Sequence, residues 1–256
     1  MLRARIIPCL LIHNKGLVKT VNFEDPKYVG DPINAVKIFN EKEVDELIVL
    51  DIDATVENRA PNFELIKNLA SECRMPFCYG GGVTSVEQAK KIIELGAEKV
   101  AMSSSAINDP FLLKNIGIAV GVQSVVVVVD VKKKGALFGG GYEIYRKNGK
   151  EKVKIKLKDF IDQLNEIGVG EIVINSIDND GLMQGYDLTL ISMIREWTDF
   201  PITALGGAGS LADIKSLIKE FKIIGAAAGS LFVFKGKYKA VLINYPNREE
   251  KLRLFN

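Results

Sequence analysis

Five consecutive valines, Val125–Val129, run straight into Asp130. An apolar run that dense predicts a buried strand, and burial at its end raises a carboxyl pKa toward the range useful to a general acid or base. The alternative is a carboxylate that caps a loop. Asp51 and Asp53 follow the short run from Leu47, and Asp178 and Asp180 follow the run from Glu171. Such carboxylates can orient the hydroxyls of a polyol or satisfy loop amides. Asp51 and Asp180 are the stronger candidates for the first role. Two glycine turns, Gly80-Gly81-Gly82 and Gly206-Gly207-Ala208-Gly209, each precede a helical pattern whose opening amides can bind phosphate. Ser103-Ser104-Ser105 and Gly229-Ser230 add a small hydroxyl-bearing turn to each half. Gly81, Gly82 and Ser104 thus form one candidate anion site, and Gly206, Gly207, Gly229 and Ser230 a second. The pairing implies a ligand with a phosphate at each end, unless the glycines only permit tight turns.

Other charged residues open strands instead of ending them. Arg5, Glu46, Lys99 and Glu171 have the signs needed to close a ring across the floor of a barrel. Desolvation offsets most of the pairing energy of such a ring, and the residues alone favour a structural plug over a gate. His13, the single histidine, reads as a bystander in the loop after the first strand, so nucleophilic serine or cysteine chemistry lacks a histidine base. Gly207-Ala208-Gly209-Ser210-Leu211-Ala212 satisfies a dinucleotide-binding spacing, but Ala226-Ala227-Ala228-Gly229 stands where its acidic residue belongs. No cofactor is expected. Cys9, Cys73 and Cys78 have no metal-ligand spacing and fit reduced thiols in the cytoplasm.

The elements that must position these residues alternate regularly. Strand patterns cover Arg5–Leu11, Leu47–Asp51, Pro76–Gly80, Lys99–Ser103, Ser124–Asp130, Glu171–Asn175, Ile202–Leu205 and Ile223–Ala227. Helical patterns between them include Asn34–Asn40, Phe63–Glu72, Val86–Leu95, Leu157–Ile167, Leu188–Trp197 and Leu211–Phe221. This is the signature of a parallel sheet with helices outside it. The length of 256 residues suits one (β/α)8 barrel domain, residues 1–256, which typically needs about 250. The halves also repeat at an offset of about 125 residues, a sign of internal duplication. Asp45–Val49 pairs with Gly170–Ile174, Pro76 with Pro201, Gly81 and Gly82 with Gly206 and Gly207, and Ser105 with Ser230. Two similar (βα)4 half-barrels are therefore expected, with a β-hairpin inserted at residues 132–152 around an Asn148-Gly149 turn. In such barrels the active site lies at the C-terminal ends of the strands, where Asp130, Asp51 and the glycine turns fall. The formal net charge of +2 argues against a nucleic-acid partner. No apolar run approaches the roughly 20 residues that span a bilayer, and Arg3, Arg5 and Pro8 interrupt any secretory signal.

Together these residues resemble the cyclase subunit of imidazole glycerol phosphate synthase over nearly the whole chain. The resemblance is carried by Arg5–Leu10, Val18-Lys19, Val21–Phe23, Gly30–Pro32, Tyr79–Val83, Asp178–Gly181, Gly185–Asp187 and Gly206–Gly209. It implies a glutaminase partner docked on the N-terminal face, ammonia crossing the barrel interior, and a bis-phosphorylated ribotide at the opposite face. It implies that Lys19, Asp51 and Asp180 contact substrate and that Gly181 joins the phosphate-binding set. It also turns Arg5, Glu46, Lys99 and Glu171 from a plug into an ammonia gate. The family's two catalytic aspartates fall on Asp130, retained, and on Leu11, which cannot exchange a proton. Ser103, Asn175, Leu182 and Leu205 depart from the family's asparagine, threonine, threonine and serine.

Loss of one proton-transfer partner typically costs about 10²–10⁴-fold. A retained gate with a broken acid–base pair favours a paralogue that passes ammonia to a third protein, such as a sugar amidotransferase acting on bacterial surface sugars. A competent cyclase for histidine biosynthesis is the runner-up. The related aminoimidazole ribotide isomerase is the weakest alternative, since it needs both aspartates and no gate.

Overall fold

The computed structural model describes residues 3–135 and 140–255. In chain order its strands are β1 (Arg5–His13), β2 (Gly16–Val21), β3 (Glu24–Gly30), β4 (Leu47–Asp51), β5 (Phe77–Gly80), β6 (Lys99–Met102), β7 (Val125–Lys133), β8 (Tyr142–Arg146), β9 (Glu151–Lys156), β10 (Glu171–Ser176), β11 (Ile202–Leu205), β12 (Gly225–Ala228), β13 (Phe234–Lys235) and β14 (Ala240–Val241). The helices are α1 (Pro32–Glu41), α2 (Phe63–Glu72), α3 (Val86–Glu94), α4 (Ser104–Asn108), α5 (Pro110–Val120), α6 (Leu157–Ile167), α7 (Leu188–Trp197), α8 (Leu211–Phe221), α9 (Ser230–Val233) and α10 (Arg248–Phe255).

Strands β1, β4, β5, β6, β7, β10, β11 and β12 are parallel neighbours in that order, and β12 pairs back onto β1 to close a (β/α)8 barrel. The valine run explains how two cores form. Val126 and Val128 point into the barrel with Ile7, Cys9, Ile48, Cys78, Ala101, Val173, Leu205 and Ala227. Val125, Val127 and Val129 pack in the separate layer between strands and helices, as the two-residue period of a strand requires. Helix starts are set locally: Asp31, Asn62, Ser85, Asp187 and Ser210 each accept an N–H from the first turn, worth about 1 kcal/mol apiece. Among the described residues no helix is long and apolar enough to cross a membrane.

The structure corrects several boundaries. β7 does not stop at Asp130 but continues to Lys133, because its end leaves the barrel to pair antiparallel with β8. β8 and β9 form the antiparallel pair expected within residues 132–152, with β9 running on to Lys156; residues 136–139 of that stretch lie outside the described residues. His13 ends β1 and is not in a loop. The β2–β3 hairpin is absent from the sequence pattern because β3, Glu-Asp-Pro-Lys-Tyr-Val-Gly, has no buried face, and its turn joins Asn22 at φ 51° to Phe23 at φ 68°, of which only the asparagine has a turn preference. The half-repeat also slips by one. Ser104 opens α4 and Ser230 opens α9, after Ser103 and Gly229 with similar φ and ψ, so Ser104 and not Ser105 is the counterpart of Ser230.

Candidate functional site

The C-terminal ends of the barrel strands open into a cavity of about 1230 Å³, counting its mouth. Lys19, Asp51, Gly81, Gly82, Ser104, Asp130, Asp180, Gly181, Gly206, Gly207, Gly229 and Ser230 all line it, so twelve positions scattered over the chain converge on one site. The glycine turns are related by the half-barrel repeat. A side chain at Gly81 would run into the backbone of Asp51, and one at Gly206 into the backbone of Ser176. These strands approach so closely there that only glycine, with φ of 124° and 92°, fits.

Asp130 lines the cavity where β7 diverges, register-paired with Asn175 on β10 and Tyr145 on β8. Burial pushes its carboxyl up to about 7; the nearby Asp180 carboxylate adds to this, against a hydrogen bond from Asn175 Nδ2 to Oδ1 at 2.9 Å and the Ser103 hydroxyl, which also favours the charged form. Leu11, on β1, lines the same cavity and supplies no second titratable group. Lys19 is delivered by the β2–β3 hairpin. Its buried stem crosses over Gly229, which has no room for a Cβ beneath it, and its ammonium donates to the Cys9 carbonyl. Burial lowers its pKa. Asp180 accepts from Thr20 Oγ1 at 2.7 Å and from the Phe23 amide at 3.2 Å, while burial raises its own pKa.

Not every acidic candidate faces the cavity with a free oxygen. Asp51 Oδ1 accepts from the amides of Asp53 and Ala54, both at 3.0 Å, leaving Oδ2 3.6 Å from Arg59 Nη1. Asp53 and Asp178 do not line the cavity. Asp53 holds His13 Nδ1 at 2.6 Å and the Asn14 amide at 2.7 Å, and Asp178 accepts from the Lys133 amide at 2.6 Å. His13 is accordingly a loop-fastening residue.

Some lining residues beyond those read from sequence come from the two hairpins. Thr20 and Phe23 arrive with β2–β3, and Lys147 and Asn148 arrive with the β8–β9 turn. Asn148 Nδ2 donates to the Ile52 carbonyl at 2.8 Å, which pins that turn over the mouth. The Asn148-Gly149 signal marked the turn; nothing local indicated where its tip would land.

At the other end of the barrel, Arg5, Glu46, Lys99 and Glu171 form a closed ring of alternating sign. Lys99 Nζ reaches Glu46 at 2.6 Å and Glu171 at 2.8 Å, and Arg5 bonds Glu46 and, at 2.8 Å, Glu171. Thr203 also bonds Glu171. Burial pushes the Glu171 carboxyl up, but Arg5 and Lys99 outweigh it and hold it below the usual range. Lys99 is lowered by burial and raised by both glutamates, with a net rise. The apolar inner core, with Cys9 and Cys78 as free thiols, separates this ring from the cavity. Among the described residues no group of three histidine, cysteine or acidic side chains is arranged to hold a metal.

The family model described as histidine biosynthesis protein matches residues 5–239. A Vibrio vulnificus protein provisionally named imidazole glycerol phosphate synthase subunit hisF3 is 54% identical over 98% of this chain and 96% of its own. A Pseudomonas aeruginosa protein with the corresponding provisional name hisF2 is 51% identical over 96% and 97%. The imidazole glycerol phosphate synthase subunit HisF of Streptococcus mutans is 37% identical over 91% of each chain.

Proposed function

The chain belongs to the histidine biosynthesis family, among the cyclase subunits of imidazole glycerol phosphate synthase, and from that premise we propose that it is the barrel half of a glutaminase pair that conducts ammonia to an acceptor without completing the cyclisation. The observation that carries the reading is an asymmetry between the two ends of the barrel. The four-residue ring is complete, while Leu11 leaves Asp130 without the second proton-transfer group the chemistry uses.

In this reading a glutaminase docks on the N-terminal face and releases ammonia at the ring. Neutral ammonia passes Arg5, Glu46, Lys99 and Glu171 when their ion pairs part, then crosses an interior lined by Ile7, Ile48, Val126, Val173 and Ala227. That lining excludes ammonium, since an unpaired charge there carries a large desolvation cost. The cavity takes a bis-phosphorylated ligand, with one phosphate at Gly81, Gly82 and Ser104 and the other at Gly181, Gly206, Gly207, Gly229 and Ser230. Lys19, Asp51 and Asp180 orient its polyol, and Asp130 exchanges the proton. The final recipient is a sugar amidotransferase that modifies surface sugars. The identity gap, 51–54% to the numbered relatives against 37% to the Streptococcus mutans subunit, supports a branch of its own.

The second reading, a competent cyclase of histidine biosynthesis, is favoured by the survival of both glycine turns and of Asp130. One assay separates them: turnover of the phosphoribulosyl-formimino ribotide by the purified chain with excess ammonium and no partner. The conduit reading predicts turnover no higher than that of Asp130→Asn, with Leu11→Asp gaining about 10²–10⁴-fold. Robust parental turnover that Asp130→Asn abolishes would assign the chain to histidine biosynthesis.

A further inference from the structure

Asp130 is flanked by two polar side chains whose acceptor capacity is unused among the described residues. On β10, Asn175 is 7% exposed; its Nδ2 donates to Asp130, and its buried Oδ1 has no hydrogen-bond partner among the described residues. On the other side, just past β6, the buried Ser103 hydroxyl faces Asp130, favours its charged form as a donor, and accepts from nothing among the described residues. A buried polar atom left unpaired costs about 1–3 kcal/mol, so Asn175 Oδ1, beside a carboxylate and a hydroxyl with lone pairs to spare, describes a site that a polar ligand completes. The atoms awaiting a partner are a carboxylate oxygen, an amide oxygen and a hydroxyl able to accept. Around them stand Leu11, Leu50, Val128 and Leu205, whose side chains offer no donor.

We propose that Asp130, Asn175 and Ser103 form a seat for ammonium at the point where the apolar interior of the barrel meets the cavity. This deepens the conduit reading and rests on it for the source of the ammonia. An ammonium ion presents N–H donors in several directions at once, whereas a ligand hydroxyl presents one. Ammonia arriving neutral takes the proton of Asp130: the carboxyl O–H bond breaks, a fourth N–H bond forms, and an ammonium–carboxylate pair results. Return of the proton releases ammonia to its acceptor. Burial has already moved Asp130 to about 7, so both directions are accessible near neutrality. The other ionisable groups nearby are the Asp180 carboxylate, the Lys19 amine and the Cys9 thiol, the last pushed up to about 11 by burial. Lys19 is turned to the Cys9 carbonyl and does not serve Asp130.

The test follows the Asp130 carboxyl by carbon-13 NMR through its titration, assigned by its loss in Asp130→Asn. Ammonium chloride should lower its pKa by about one pH unit, saturably, as an opposite charge within a few ångströms does. Tetramethylammonium chloride, with the same charge and no N–H, should leave it in place. Asn175→Leu and Ser103→Ala should each lose most of the ammonium-induced shift, with thermal melts confirming that they fold. Equal effects of the two salts on the parent protein would overturn the seat, as would a full shift in Asn175→Leu. A shift with methylammonium but none with ammonium would also overturn it, assigning the site to the amine end of a larger ligand. If a variant does not fold, the salt comparison on the parent still decides. No glutaminase or acceptor enters this titration, so its failure leaves the conduit reading standing, and the reverse holds for the turnover assay.

Discussion

At Asp130 the folded protein holds a proton that the unfolded chain would release. Its pKa lies near 7 in the fold against an ordinary 3.8, and the leading cause is burial, with the Asp180 carboxylate contributing. The sign of the linkage follows from that inequality. Between those two values the folded state binds more protons than the unfolded state, so stability falls as pH rises through the window, and the full penalty is present above 7. Asp130→Asn removes a charge that the fold does not want. We therefore expect it to match the parent at acidic pH and to exceed it above neutrality by about 1–3 kcal/mol, discounting the full shift because Asp130 is half-buried. Urea midpoints of both proteins on the two sides of neutrality measure this. A variant less stable than its parent at alkaline pH would mean that Asp130 is charged and well satisfied in the fold. Leu11 bears on the same balance, since an aspartate there would put a second carboxyl into the cavity to share Asp130's proton.

The β2–β3 hairpin is the element that turns a lined cavity into a complete site. It carries Lys19 and Thr20; β2 is laddered to β1 with Leu17 and Val18 buried, and polar ties fasten its turn. The Asn22 amide donates to the Asp180 carbonyl at 3.0 Å, and Asn22 Nδ2 donates to the carbonyls of Ile177 at 3.0 Å and Asp178 at 2.9 Å. Because β3 buries no residue, these polar ties hold the tip of the hairpin where packing does not. Asn22→Ala should cost about 1–2 kcal/mol. The loss should appear as faster amide hydrogen exchange across residues 16–30, with the barrel strands still protected. Unchanged exchange in the hairpin would show that the β1–β2 ladder, Thr20 and Phe23 hold it without Asn22. The β8–β9 turn is anchored in the same manner by Asn148, and its Gly149 lies against Phe23 of the first hairpin.

Over the whole molecule, the barrel is closed by charge at one end and open to solvent at the other. Glu46 and Glu171 are almost fully buried, at 2% and 3% exposure, and each is neutralised by the same two cations. Removing one cation leaves buried negative charge uncompensated. Lys99→Met should therefore destabilise the protein by about 3–5 kcal/mol. It should also alter how glutamine hydrolysis in the partner is coupled to ammonia arriving at the cavity. A stability loss with unchanged coupling would mark the ring as a plug, the reading the residues favour when considered without the family resemblance.

The barrel was legible from sequence because its determinants are local and repeated: β-branched runs, capped helices and a duplicated glycine turn each declare themselves within a few residues. The valine run ending in Asp130, the two anion-site patterns and the alternating signs of Arg5, Glu46, Lys99 and Glu171 belong to that class. Strand polarity then decides which residues meet at which end. What the sequence left open depends on contacts between distant segments. The β2–β3 hairpin has no amphipathic period to betray it; its pairing with β1 and its docking on the loop after β10 fix its shape and bring Lys19 over Gly229. Asp51 and Asp180 look alike in sequence, yet loop amides occupy one oxygen of the first, while Thr20 and Phe23 from another element bind the second. The buried Asn175 Oδ1 and the Ser103 hydroxyl are the clearest case. Their residue types are readable from the chain, but whether a buried polar atom has a partner is a property of the packed interior, and only closure of the barrel decides it.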